Sequence, residues 1–413
     1  MSEIAEFVDA EPLFETHTHQ LGFDGHRWDE KSFEDFIAYG TADLEVAGAT
    51  FTSGDAARTF SVWPYARTTG YGQAADLGAR ALFGRPFSAG TADELTRALR
   101  AFCRGRTSAE IHADLYARAN IRWSINDMFW APPGRTDAFS GAGYLPFVRF
   151  APRFEERGHT LVGASRDSVR AFEAGANVSI HSLAELDRAL DDYAARLIAG
   201  GRVAAFKVAV AYGRDLSFAP VDASTAAPLF QGVLRGGPVD ARPLSDYLFH
   251  RLLARARQFA RPVQIHTGYL AGTWGDLRNG DPRPLVPVFR QYRDVRFDLF
   301  HAAWPWTSFL GAVGKAFPNV WLDLCWAWAM NPVQTERTLD EWLSAVPCNK
   351  ILGFGADTQS PVSEIGYALQ ARRGIARVLE RKIERGEFDA ESARFVARRL
   401  LSENALDLFG AGS

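Results

Sequence analysis

Short apolar runs alternate with longer helical segments along this chain, and that alternation constrains its fold more than any other feature. Eight runs read as strands: Leu13–His19, Ile121–Asp127, Tyr144–Phe150, Ala204–Val210, Pro262–His266, Val295–His301, Val320–Trp326 and Lys350–Asp357. Helical segments separate the later ones: Ser182–Ala199, opened by a Ser182-x-x-Glu185 capping box, then Asp246–Phe259, Trp306–Ala316 and Leu339–Ala345. Strands that alternate with helices pair in parallel, because each return to the same edge needs a crossover. Eight such units predict an α/β chain folded as a closed (β/α)8 TIM barrel. The 413 residues fit one large barrel with insertions, so residues 1–413 are read as a single domain.

Between the first two strands lies a long stretch without strand pattern. Its periodic segments, Ala74–Phe83, Ala92–Phe102 and Ser108–Ala119, predict a mainly helical insert or lid over residues 20–120. Trp63-Pro64-Tyr65 and Thr69-Gly70-Tyr71-Gly72 read as loop. Ile365 to Leu408 reads as helix, with its mixed Arg and Glu on a solvated face.

Charge and composition exclude several roles. A net charge of −3 offers no field for a polyanion, so nucleic acid is not expected as a partner. No apolar run is long enough for a membrane helix, and Met1–Glu11 lacks a basic-then-apolar leader pattern. The three cysteines, Cys103, Cys325 and Cys348, are too few and too scattered for a disulfide framework or a cysteine-based zinc knuckle. They fit a reducing compartment, and the expectation is a cytoplasmic protein. An aromatic content of 13% is high enough to suit a stacking wall or a homo-oligomer contact. Trp63, Tyr65, Trp130, Trp304 and Trp328 are candidates for such a wall, although packing is the commoner role for each.

Chemistry concentrates at the strand ends. His17 and His19 are separated by one residue, so on an extended strand they share a face and offer two imidazoles to one divalent ion. The fourth strand is apolar except for Lys207. A bare ammonium inside a barrel costs several kcal/mol, so Lys207 must be neutral, paired or modified. The fifth, sixth and eighth strands end in His266, His301 and Asp357. In a TIM barrel those ends converge on the face that carries active sites. Any one of these residues alone is better read as a satisfied core group, an ion-pair partner or a helix cap. Together they are read as one site. His26, His112, His159, His181 and His250 hold no strand-end position and are treated as non-ligands, with His26 close enough in sequence to support the site from behind. Strand parity places Glu15 on the face of His17, one step deeper.

The ordered motifs resemble the amidohydrolase superfamily, in particular the amidohydrolase-2 branch with the uronate isomerases and the nodulin-like amidohydrolases. The matching stretches are Glu15-Thr-His17-Thr-His19, Lys207 to Arg214, Gln264-Ile-His266-Thr-Gly268, His301-Ala-Ala-Trp-Pro305, Phe317 to Asp323, Gly355-Ala-Asp357-Thr358 and Glu403 to Phe409. The resemblance spans the chain apart from the insert. It implies that His17, His19, His266 and Asp357 are metal ligands. It makes His301 a ligand to a second ion or a donor to the substrate, and Lys207 a position that many members carboxylate. Tyr212 and Arg214 follow the nodulin-like pattern, where carboxylation is not assumed, so the count of one or two ions stays open.

Imidazole and carboxylate donors fit Zn²⁺, with Mn²⁺ or Fe²⁺ as alternatives. The expected activity is hydrolysis of an amide, ester or lactone in a small carboxylate-bearing molecule. Asp357 would move the proton of a metal-activated water, and His301 or Lys207 would help stabilise the oxyanion. The substrate carboxylate is inferred from Arg149, Arg153 and Arg214, whose guanidinium forks suit carboxylates, with Tyr212 beside them. Pairing of these arginines with acidic loops is the equal alternative. A uronate-isomerase-like aldose–ketose isomerase and a metal-dependent decarboxylase are the rival activities.

Overall fold

A computed structural model describes residues 2–49, 56–156 and 159–410. The eight expected strands are present: Leu13–Thr18, Ile121–Asn126, Val148–Phe150, Phe206–Val208, Val263–Ile265, Phe297–Leu299, Val320–Asp323 and Ile351–Leu352. They form two parallel ladders. The first three strands pair in chain order, and the last five pair in chain order. Bridges from Phe150 to Val203 and from Arg153 to Lys207 join the third strand to the fourth. Backbone bonds from Thr16 to Phe354 (3.0 Å), Asp357 to His17 (3.0 Å) and His19 to Thr358 (2.9 Å) join the eighth to the first. The ring is closed, as the alternation predicts, and no barrel edge is left to pair elsewhere.

Inside the barrel, chemistry changes with height. The floor is apolar. Phe14, Ile125, Ala151, Ala204, Ala205 and Leu352 meet Ala405, Leu408 and Phe409 of the C-terminal helix Asn404–Phe409, which stoppers that end. Above it lies a polar layer. Gln264 Nε2 donates to the Thr16 carbonyl (2.9 Å) and to Asp298 (3.0 Å), and Asp323 accepts from the Cys325 backbone (2.7 Å). Lys207 belongs to this layer, its Nζ 3.5 Å from the centre of the Phe300 ring with no hydrogen-bond acceptor.

Between the first two strands the described residues form helices Thr41–Val46, Ala56–Ala66, Gly70–Phe83, Ala92–Cys103 and Ser108–Ala119, with three short 3-10 turns. Two of these correct the loop readings of residues 63–65 and 70–72. Pro64 sits in the last turn of Ala56–Ala66, where its missing N–H costs one helical bond, and buried Trp63 anchors that turn. Gly70 opens the next helix, capped by the Thr69 hydroxyl. A Cβ there would lie 2.1 Å from the Ala329 carbonyl, so the glycine serves close packing rather than a turn. The C-terminal arginines are also not all solvated. Arg372 is buried and gathers the carbonyls of Val8, Glu11 and Ala119, which end the helices Glu3–Ala10 and Ser108–Ala119 or follow them directly. No helix among the described residues is long and apolar enough to cross a membrane.

Candidate metal centre

Five strand ends deliver the candidate site. His17 and His19 come from the first strand, Asp127 follows the second, His266 the fifth, His301 the sixth and Asp357 the eighth. Two of these ends turn through left-handed backbone, His301 with φ 61° and Asp357 with φ 49°, as does Trp326 (φ 62°) after the seventh strand. Non-glycine residues avoid that region, and such strain persists where surrounding structure imposes it, typically at functional sites.

The Asp357 carboxylate is the centre of the cluster. Its Oδ1 lies 2.9 Å from His19 Nε2 and 3.8 Å from His17 Nε2, and its Oδ2 lies 3.4 Å from His301 Nε2. Asp127 Oδ2 stands 3.7 Å from His17 Nε2. Donors about 2.0–2.3 Å from one tetrahedral ion are about 3.3–3.8 Å from each other. The gaps of 3.4, 3.7 and 3.8 Å match ligands around a small cation, while the 2.9 Å gap between His19 and Asp357 is a hydrogen-bond distance. Burial alone would raise the Asp357 carboxyl, but His17, His19 and His301 hold it well below the usual carboxylate range.

Backbone carbonyls fix the imidazoles. His19 Nδ1 donates to the Asp127 carbonyl (2.7 Å), and its Nε2 lies within hydrogen-bond distance of Asp357 Oδ1 (2.9 Å). His301 Nδ1 donates to the Cys325 carbonyl (3.0 Å), and His266 Nε2 donates to the Tyr269 carbonyl (2.9 Å). The remaining nitrogens, His301 Nε2 and His266 Nδ1, then face each other at 3.1 Å. Two bare lone pairs at that distance repel unless a cation or a proton lies between them. Burial disfavours the proton: it holds His266 well below its ordinary value and His301 at about 4. Both nitrogens of His17 are buried without a partner, and burial and then Lys207 push that ring toward its neutral form. Oriented imidazoles beside a buried carboxylate are the donor set of a divalent metal site, so the residues present fit such an ion. Burial lowers Lys207 to about 8 against the pull of Asp127 and Asp357.

The other expected residues divide. Tyr212 lies within the cluster, its ring 4.8 Å from that of His266 and stacked on His159 at 4.9 Å. Arg153 is at the same level but pairs with Asp127, through contacts of 2.6–2.9 Å, and stands 3.7 Å from Glu155. Arg214 turns to Asp246 at 2.7 Å. Arg149 is level with the start of the fourth strand, beside Arg202, whose pKa is lowered by burial and then by Arg149, and it does not join the cluster. Among the aromatics, Trp328 and Trp63 are buried and Tyr65 is exposed, while Trp304 meets Tyr269 at 5.5 Å.

Glu15 corrects the parity reading. A register shift between Glu15 and Thr18 places one extra residue in the first strand, so the faces of Glu15 and His17 differ. Glu15 turns to the helical layer, accepting from Ser124 (2.7 Å) and Tyr116 (3.4 Å). Asp127, Cys325, Trp326 and Tyr39 enter the neighbourhood without having been singled out. Asp127 ends a strand reading, and that position was its available signal. Tyr39 comes from the insert, where nothing local marks it. Its hydroxyl is raised by burial and then by Asp357, and its ring meets Trp326 at 5.9 Å.

Comparison with known proteins agrees with this geometry. The amidohydrolase family model matches residues 129–411. Protein fluG of Emericella nidulans is 28% identical over 226 residues, which are 51% of this chain and 26% of that protein, so the chain spans about a quarter of its curated relative. A uronate isomerase from Thermotoga maritima superposes with a TM-score of 0.80 at 15% identity, covering 98% of this chain and 96% of that one. A Lactobacillus casei chain described provisionally as a metal-dependent hydrolase superposes with a TM-score of 0.69 at 17% identity, covering 99% and 98%. These superpositions bear out the barrel. The family match begins after His17 and His19, which join its residues only through the closed ring.

Proposed function

The chain belongs to the amidohydrolase family of enzymes, and on that premise we propose that it is a metal-dependent hydrolase of an amide, ester or lactone bond in a small carboxylate-bearing molecule. The observation that carries this reading is Asp357, a buried carboxylate kept ionised among three histidines. His17, His19, His266 and Asp357 would hold a divalent ion, with zinc the best fit to imidazole and carboxylate donors. Such an ion supplies Lewis acidity, polarising the substrate carbonyl and lowering the pKa of water from about 15.7 toward about 7. Asp357 accepts the proton of the attacking water and returns it to the leaving group. Lys207 faces the oxyanion as it forms, and a water-poor barrel end strengthens that contact. Tyr212 and Arg153 orient the substrate carboxylate, while Arg214, paired with Asp246, and Arg149, level with the start of the fourth strand, take no direct part. A cleft of about 470 Å³ bordered by His26, Lys31, Tyr39, Gln359 and Ser360 is the proposed approach, which gives the insert over residues 20–120 the role of a lid on a single domain. Three free cysteines suit a cytoplasmic setting.

An aldose–ketose isomerase on the same residues is the second reading, drawn from the uronate isomerase among the fold neighbours. One assay separates them. Sugar acids and their lactones are supplied to the metal-loaded protein, with acid release and reducing-end change followed together. Acid release with an unchanged reducing end is expected. Conversion of an aldose acid to a ketose acid without water uptake would overturn the hydrolase reading.

A further inference from the structure

Within the barrel, a second group of donors lies on the inner side of Asp357. His301, Cys325 and Asp357 each place one ligand atom within 4.8 Å of the other two, and all three are buried. On this basis we propose that Cys325 is a metal ligand, and that His301, the Cys325 thiolate and Asp357 Oδ2 form an inner ion position beside the outer one held by His17, His19 and Asp357 Oδ1. The inference rests on the metal-centre reading and extends it to a mixed sulfur, nitrogen and oxygen site.

Three features of the chain support a ligand rather than a filler. First, Asp357 is divided between the two groups, with Oδ1 toward His17 and His19 and Oδ2 toward His301. A carboxylate used this way spans two ions without a modified lysine. Second, the end of the seventh strand is pinned from both directions. The Cys325 backbone donates to Asp323 at 2.7 Å, and its carbonyl orients His301 at 3.0 Å. One residue therefore fixes its neighbour's ring and offers its own sulfur to the same place. Third, the eighth strand makes room for that sulfur. A Cβ at Gly355 would fall 2.7 Å from Cys325 Sγ and 2.7 Å from Thr16 Oγ1. The sulfur is fully buried, which protects a soft donor from oxidation. Three protein donors leave the fourth place of a tetrahedral ion for water or substrate, the pattern of catalytic rather than structural sites. Binding releases the thiol proton to solvent, since only the thiolate ligates.

The test uses cobalt as a reporter. The native chain, stripped and reloaded with Co²⁺, is expected to show a near-ultraviolet thiolate-to-cobalt charge-transfer band. Cys325→Ser should lose the band completely and bind one ion fewer per chain, while His17→Ala keeps it. X-ray absorption of the zinc-loaded native chain needs no variant and should show a sulfur neighbour at about 2.3 Å. Bound metal with only nitrogen and oxygen neighbours, or a band that survives in Cys325→Ser, would overturn the thiolate while sparing the metal centre. Failure of the native chain to bind either ion would overturn both.

Discussion

Two buried histidine clusters lie in this molecule, and their difference shows what makes a ligand set. His26 and His112 pack ring to ring at 4.7 Å, against Trp28 at 5.0 and 5.6 Å. Like His17, they keep buried nitrogens without partners, and burial lowers His26 to about 2 and His112 to about 4. Burial and orphaned nitrogens are thus common to both clusters. What His26 and His112 lack is a facing carboxylate: their neighbours are Trp28, Phe23 and Tyr116. At the strand ends, Asp357 and Asp127 supply negative charge and backbone carbonyls choose the tautomers. Anionic donors and oriented rings distinguish a site from an aromatic box.

Breaking the strand-end cluster should have the largest effect. Asp357→Asn keeps the shape but removes the base, and turnover of a lactone or sugar acid that the assay above shows the native chain to convert should fall by about 10²–10⁴-fold. A variant that keeps full turnover would remove Asp357 from the chemistry. The cluster of His26 and His112 should answer to acid instead. His112 has a folded pKa below its unfolded value, so the folded chain binds fewer protons between about pH 6.5 and 4 and loses stability as pH falls through that window. At about 1.4 kcal/mol per unit, the loss from His112 is on the order of 3 kcal/mol. Chemical denaturation across this range should show a steeper acid decline in the native chain than in His112→Phe, and parallel curves would reject the assignment. The smallest effect sharpens the contrast. At neutral pH, His112→Phe should cost less than about 1.5 kcal/mol, as a roughly volume-conserving swap, and should leave the metal content of the chain unchanged. Loss of metal in this variant would make the aromatic box part of the site.

Sequence pattern made the barrel legible because strand periodicity and helix crossovers are local signals. His17, His19, His266, His301 and Asp357 were legible for a related reason, since strand ends of a barrel must converge. Glu15 was misread because a bulge leaves no mark in the residues that form it, and one extra residue reverses strand parity. Arg149 shows the reverse limit. The reading placed it near a strand end, yet the pairing of Phe150 with Val203 sets its height at the other end of the fourth strand. Cys325 and Tyr39 gain meaning only from partners that closure brings to them, on the eighth strand and across the insert. The insert helices at Ala56–Ala66 and Gly70–Phe83 were obscured by Pro64 and Gly70, whose loop-like character is overridden by packing.

Elemental analysis of the native chain beside Asp357→Ala tests the central claim most directly, because both proposed ion positions draw on that one carboxylate. Divalent metal bound to the native chain and largely absent from Asp357→Ala, with the variant still folded by circular dichroism, is the predicted result. Metal retained in full by the variant, or none bound by a native chain supplied with zinc, manganese and iron, would contradict it.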